Sequence, residues 1–410
     1  MYDFFANRVS GIQAAIENAP DRPNANKRYA LEQSRLGKNL YSGSGKVVWS
    51  GICVPFEVLN AMGVTACFVE FMGGAAASMG TAQMMMEEAE HAGYPAEMCG
   101  YHRAVVGAAR KGLMPEPAFL IGTTAFCTGG LSVLEVLARH YRKDLFVLHI
   151  PQDNIPKNVD YLADQIRNMA EFVGDHTGEP LEHRKLAEAI ELSNSARAVM
   201  LDVYKLGRSV PTPVRAKDLR NFGILMPLFL GTEAAIDIAR AFRDEFMNRL
   251  EAGGGGVPEE RLRLMWLQTR IQFDNPVIDW LENRFGVAVA VEELNHVHWS
   301  PLDPDDPFRS LARRIITHGF NGPTSQRIDI LKDLAKNYRV DGAINPCHWG
   351  CRQGTGSRGL IYEALKEIGV PVINLDTDCV DSRNFSEGQL KTRIEAFVEV
   401  LESRRQSACR

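Results

Sequence analysis

Long apolar runs are missing from this chain. The longest are broken within about ten residues, roughly half of what a membrane-spanning helix needs, so no transmembrane segment is expected. The first residues, Met1-Tyr2-Asp3-Phe4-Phe5, lack a basic stretch followed by an apolar one, so no secretory signal is expected either. A surplus of positive charge is also missing. The 46 Lys and Arg against 51 Asp and Glu leave a formal charge of −5, and nothing supplies the basic stripe used in nucleic-acid binding. There is no G-x-x-x-x-G-K-[ST] segment, which excludes the usual phosphate loop of ATP hydrolysis. Cysteine is sparse, 8 in 410 residues, too few for a disulfide scaffold. Such a chain is expected in the cytoplasm, where cysteines stay reduced and serve as core residues, metal ligands or nucleophiles.

What is present is ordinary globular composition, 45 % hydrophobic and 24 % charged, in a chain long enough for two or three domains. Residues 1–45 read as a polar helical extension broken at Pro20 and Pro23 and ending in Tyr41-Ser42-Gly43-Ser44-Gly45. From 46 to 154, strand-like runs (46–51, 64–71, 118–122, 145–150) alternate with helical ones (82–92, 131–141), the pattern of a parallel α/β sheet. Residues 155–256 are dominated by helical patterns (159–173, 181–205, 232–251) and end in Gly253-Gly254-Gly255-Gly256, read as a flexible joint and a boundary. Alternation resumes over 257–410, with strands at 263–267, 287–291, 340–345 and 370–375 and helices at 328–337, 357–368 and 390–401. The tail carrying Cys409 is expected to fray.

The cysteines are not scattered at random. Cys53, Cys127, Cys347, Cys351 and Cys379 each fall just past the end of an expected strand, the edge at which open α/β sheets bind ligands. Cys99 lies in a loop between helical stretches, and Cys67 sits mid-strand as a small core residue. Structural zinc favours compact paired ligands, and only Cys347 and Cys351 have that spacing. Cysteines contributed by several loops suit an iron–sulfur cluster better. Helices starting after the strands would aim N–H groups at it. Gly354-Thr355-Gly356-Ser357-Arg358-Gly359 matches a dinucleotide fingerprint, but Pro346 to Gln353 separate it from its strand, which argues against nicotinamide or flavin.

Several stretches then resemble one family, the iron–sulfur subunits of 2-hydroxyacyl-CoA dehydratases and benzoyl-CoA reductases. They are Met86 to Tyr94 running to Cys99, Thr123-Thr124-Ala125-Phe126-Cys127, His348-Trp349-Gly350-Cys351-Arg352-Gln353, and a C-terminal set from Asp376 to Phe397. The resemblance covers most of 46–154 and 262–401. It implies that Cys99, Cys127 and Cys351 hold one [4Fe–4S] cluster with an open iron. It also implies an ATP-dependent [4Fe–4S] activator as electron source, an acyl-CoA substrate, and pairing with a homologous subunit or a second copy. In such dehydratases one low-potential electron makes a ketyl radical that expels the neighbouring hydroxyl; in the reductases similar electrons reduce an aromatic ring. Cys53, Cys347 and Cys379 exceed that minimal set. A related group holds a double-cubane [8Fe–9S] cluster on six cysteines in a homodimer that reduces small molecules, so that arrangement stands as the alternative. A non-catalytic electron-transfer partner is the other.

His348 reads as a proton donor or a hydrogen bond to cluster sulfur, and Glu57 as a second catalytic candidate or a helix-start acid. His102 and Arg103 read as a solvated pair or as contacts to phosphate or thioester. The expected fold is α/β, two flavodoxin-like or Rossmann-like parallel-sheet domains with a helical segment between them. No nucleic-acid or membrane partner is expected.

Overall fold

The structure is a computed structural model, and residues 1–19, 22–43, 46–220 and 222–408 are described. Pro20, Ser44, Gly45 and Cys409, read from sequence as a helix break, a lead-in loop and a tail thiol, lie outside the described residues. No helix among the described residues is long and apolar enough to cross a membrane.

Two four-stranded parallel sheets organise the chain. The first holds β1 (Val47–Ser50), β2 (Thr65–Phe68), β3 (Phe119–Thr123) and β4 (Leu145–Leu148) in the order β2-β1-β3-β4. The second holds β5 (Leu262–Trp266), β6 (Val287–Glu292), β7 (Gly342–His348) and β8 (Val372–Thr377) in the order β6-β5-β7-β8. The two orders are the same, and each reverses direction between its first and third strands, where α/β sheets form ligand crevices. The strands are short and apolar because helices cover both faces. Val48, Phe119 and Ile121 pack on Leu162, Ile166 and Met169 of the helix Pro156–Thr177. On the opposite face Trp49 and Leu120 pack on Val105, Leu134 and Leu137. In the second sheet Leu264, Ile344 and Leu375 meet Ile394 and Leu401, while Met265 and Ala343 meet Leu331 and Leu365.

The expected α/β plan with two parallel sheets is therefore present. Four details differ. Val69 to Phe71 were expected to continue β2, but a helix begins at Val69 and runs to Ser78. Gly73 explains its placement, since a Cβ there would lie 2.4 Å from the Tyr101 carbonyl oxygen of the neighbouring helix. The strand expected to stop at Asn345 runs through Pro346 and Cys347 to His348. Beyond Ile344 it pairs only with β8, because β5 has ended, and proline is tolerated where one side needs no ladder bond. The Gly253–Gly256 run is a tight, bonded return rather than a loose joint. Gly254 donates to Arg249 O, Gly256 donates to Thr212 O, and a Cβ on Gly256 would meet the Val214 carbonyl at 2.1 Å. Lastly, the helix Pro307–Ile316 follows β6 in the chain but packs on Pro156–Thr177, tying the second half to the first.

Candidate active site

Three thiols expected together from sequence do meet. Cys99, Cys127 and Cys351 line one cavity of about 310 Å³ between the sheet edges. Each stands at the head of a helix: Gly100–Arg110, Thr128–Tyr141 and the short Arg352–Gly356. Cys127 arrives through the turn after β3. Cys351 arrives through a tight turn after β7, in which its N–H bonds His348 O and Gly350 adopts φ +73°. A glycine is required at 350 twice over, because a Cβ there would also sit 2.5 Å from the Cys99 nitrogen. Gly354 donates its N–H to Cys351 Sγ at 3.3 Å.

Burial pushes the Cys99 and Cys351 thiols up from their ordinary range, and neighbouring thiols add to it: Cys351 and Cys127 for Cys99, Cys127 for Cys351. Three half-buried sulfurs at one cavity that would repel one another as thiolates are the donor set a cationic metal centre satisfies. Among the described residues no three His, Cys, Asp or Glu side chains are grouped tightly enough for a single ion. A cluster differs in that each thiolate ligates a different iron, and an all-thiol donor set is the chemistry such a cluster uses.

The remaining cysteines part company. Cys53 lines the same cavity in a left-handed conformation, φ +66°. Cys379 is fully buried behind His348, its N–H on His348 Nδ1 at 2.9 Å. Cys347 lies inside β7, not past its end, and its Sγ faces Asn345 O and Asn374 Oδ1, each at 3.7 Å. Cys67 is buried mid-strand in the core, as its pattern suggested.

His348 lines the cavity with Nε2 3.3 Å from Cys99 Sγ. Burial, aided by the Arg103 charge, lowers its pKa to about 3, so the ring is neutral. Glu57 is fully buried, and its carboxylate is held by Arg314 on both oxygens and by Ser193 at 3.0 Å. Arg314 lines the cavity and Glu57 does not, so the position of Glu57 is that of a group that fixes Arg314. His102 and Arg103 are buried rather than solvated. Arg103 reaches Asp381 at 2.9 Å and Glu90 at 2.6 Å. Of the dinucleotide-like glycines only Gly354 is packed; Gly356 and Gly359 have nothing near a Cβ position.

Sequence reasoning missed Glu70. It lies in the first turn after β2, lines the cavity, and keeps its Oε2 shielded from solvent with no hydrogen-bond partner among the described residues. Burial raises its pKa to about 7, with only backbone groups opposing the rise. Gly130 makes room for it, as a Cβ there would lie 2.6 Å from Glu70 Oε1. The available signal was an acid just past a strand at the same edge as the cysteines. Part of the cavity lining is aromatic, with Phe126 against His318 at 4.5 Å and Arg314 over Trp299 at 5.2 Å. Burial, aided by the His298 and Arg314 charges, lowers the His318 pKa to about 3, leaving that ring uncharged.

A family model described as 2-hydroxyglutaryl-CoA dehydratase, D-component, matches residues 52–401, which include every one of these cavity residues. The chain belongs to that family. It is a subunit of the 2-hydroxyacyl-CoA dehydratase and benzoyl-CoA reductase type. Among its relatives is the (R)-phenyllactyl-CoA dehydratase alpha subunit of Clostridium sporogenes, 23 % identical over 399 residues, 92 % of this chain and 93 % of the relative. A benzoyl-CoA reductase subunit of Thauera aromatica is 25 % identical over 353 residues, 79 % of this chain and 81 % of the relative. The lactoyl-CoA dehydratase subunit alpha of Anaerotignum propionicum is 24 % identical over 385 residues, 87 % and 91 % of the two chains.

Proposed function

We propose that Cys99, Cys127 and Cys351 hold a [4Fe–4S] cluster and that the chain acts on an acyl-CoA thioester in the adjoining cavity. When bound, the cluster supplies a low-potential electron and one Lewis-acidic iron. The electron source is an ATP-dependent [4Fe–4S] activator, and the assembly contains a homologous subunit or a second copy of this chain. The observation that carries the reading is the meeting of three thiols from three helix starts, on both sheets, at one cavity.

The chain's own residues then divide the work. The aromatic wall of Phe126, His318 and Trp299 excludes water from the acyl group. Arg314, held by Glu57, orients a carbonyl or carboxylate beside it. Glu70, with its pKa near 7, keeps a proton at Oε2 that can pass to a departing hydroxyl, the task that suits a carboxyl poised close to neutral pH. The direction of Cys347 Sγ, into β7 and β8 rather than the cavity, supports three ligands over six. The open space beside the thiols supports a substrate site over a purely electron-carrying partner.

Iron and acid-labile sulfide on protein purified without oxygen test this reading. About four irons per chain are expected. About eight would favour the double-cubane arrangement, and none after anaerobic reconstitution would overturn both. With iron in place, acyl-CoA thioesters are the first substrates to try.

A further inference from the structure

We propose that His348 is a positioning residue locked in the tautomer that donates Nε2–H to Cys99 Sγ, raising the reduction potential of the cluster Cys99 ligates. The inference rests on the cluster reading above.

The tautomer follows from the other nitrogen. Cys379 donates its backbone N–H to His348 Nδ1 at 2.9 Å. Nδ1 is therefore an acceptor and carries no proton, so the proton of the ring is on Nε2. Nε2 faces Cys99 Sγ at 3.3 Å. The ring is also held from the side by Tyr101, edge to face with centroids 5.3 Å apart.

The Cys379 N–H is itself aimed. Asp378 Oδ1 accepts from the N–H groups of Val380 and Asp381, both at 2.8 Å, which fixes the turn carrying Cys379. Asp381 is anchored by Arg103 at 2.9 Å, and Arg383 ties Asp381 to Glu90 at 2.7 and 2.6 Å. Arg103 lies on the helix that Cys99 heads. The contacts thus close a ring: from Cys99 along its helix to Arg103, across Asp381 to the 378–381 turn, then through His348 back to Cys99. Fixing a ligand from behind in this way sets both its orientation and its electron density. Among the described residues Cys99 is the one member of the trio whose sulfur meets a side-chain donor; Cys351 receives the backbone N–H of Gly354.

A hydrogen bond to a ligating sulfur withdraws negative charge, and the reduced cluster carries more of it. The bond therefore favours the reduced form. Gln at 348 can place an amide N–H close to where Nε2 sits, while Phe keeps the ring shape and removes the donor.

Two measurements on the full chain test the proposal. The first is the tautomer in cluster-free protein labelled with 15N-histidine, with the His348 signals assigned by their loss in His348→Gln. Protonated Nε2 with bare Nδ1 is expected; the opposite tautomer or an imidazolium near pH 7 overturns the proposal. The second is a redox titration, followed by electron paramagnetic resonance, of reconstituted wild type, His348→Gln and His348→Phe. At the wild-type midpoint, His348→Phe should be at least tenfold less reduced, about 59 mV more negative for one electron, and His348→Gln should stay close to wild type. An unchanged potential in a fully loaded Phe variant sinks the inference alone. If wild type takes up no iron, the cluster reading fails and the inference falls with it. If only the Phe variant loses its iron, the tautomer decides.

Discussion

Glu70 and Glu293 occupy corresponding places in two sheets of the same strand order, the first just past β2 and the second just past β6. Their surroundings are opposite. Glu293 is buried against Arg327, which contacts both its oxygens at 2.5 and 2.9 Å. Among the described residues Glu70 has no cation on its carboxylate, and its Oε2 has no hydrogen-bond partner. A paired buried acid holds the fold in place; an unpaired one keeps a proton available beside a cavity. The same correspondence links Cys53 with Gln268, non-glycine residues in left-handed backbone just past β1 and β5, and Cys127 with Cys351, past β3 and β7. Strained backbone is retained where the surrounding structure holds a functional group in place, and here it occurs at the same edge in both halves. The cavity is thus built from two versions of one edge. The first half contributes the free acid Glu70 and the thiols of Cys53, Cys99 and Cys127, and the second contributes Cys351, while its paired acid Glu293 stands outside the lining.

Several changes would break or sharpen that comparison. Replacing a thiol from either half, Cys127→Ser or Cys351→Ser, should abolish turnover of an acyl-CoA substrate to a similar degree; a large residual rate in one of them would show that the halves are not both needed. Next in size, Glu293→Gln leaves the buried Arg327 without its carboxylate and should cost about 3–5 kcal/mol in a denaturant titration.

Glu70→Gln should behave in the other way. The folded pKa of Glu70, about 7, lies above its ordinary 4.5, so the folded protein retains a proton that the unfolded chain releases. Stability should fall as pH rises from about 4.5 to about 7 and level off above, by on the order of 2–3 kcal/mol. Denaturant midpoints across that window should show Glu70→Gln lacking most of this slope while its turnover drops; an unchanged slope would place the carboxyl in water. Smallest is Gly350→Ala, which forces a Cβ at φ +73° toward the Cys99 nitrogen. It should cost on the order of 1–3 kcal/mol and lower iron retention, readable from melting temperature and iron content together.

Much of this edge was legible in the sequence because strand ends are marked by apolar runs that stop. Cys127 and Cys351 fall just after such stops, and the segments around Cys99, Cys127 and Cys351 carry the family resemblance. Glu70 was not legible, since Val69-Glu70-Phe71 reads as strand and only the Gly73 approach to Tyr101 shows why a helix starts there. Cys347 was misplaced because Pro346 looks like a strand end, and it takes the pairing pattern to show that β7 needs only one neighbour at that point. The roles of Glu57 and Arg103 depend on partners more than 250 residues away, Arg314 and Asp381. No local pattern carries that information.

The most direct measurement is iron and acid-labile sulfide in anaerobically prepared wild type beside Cys351→Ser and Cys347→Ser. About four irons per chain are expected in wild type and in Cys347→Ser, and close to none in Cys351→Ser. Iron kept in full by Cys351→Ser, or lost from Cys347→Ser, would contradict a cluster held by Cys99, Cys127 and Cys351 across the two sheets.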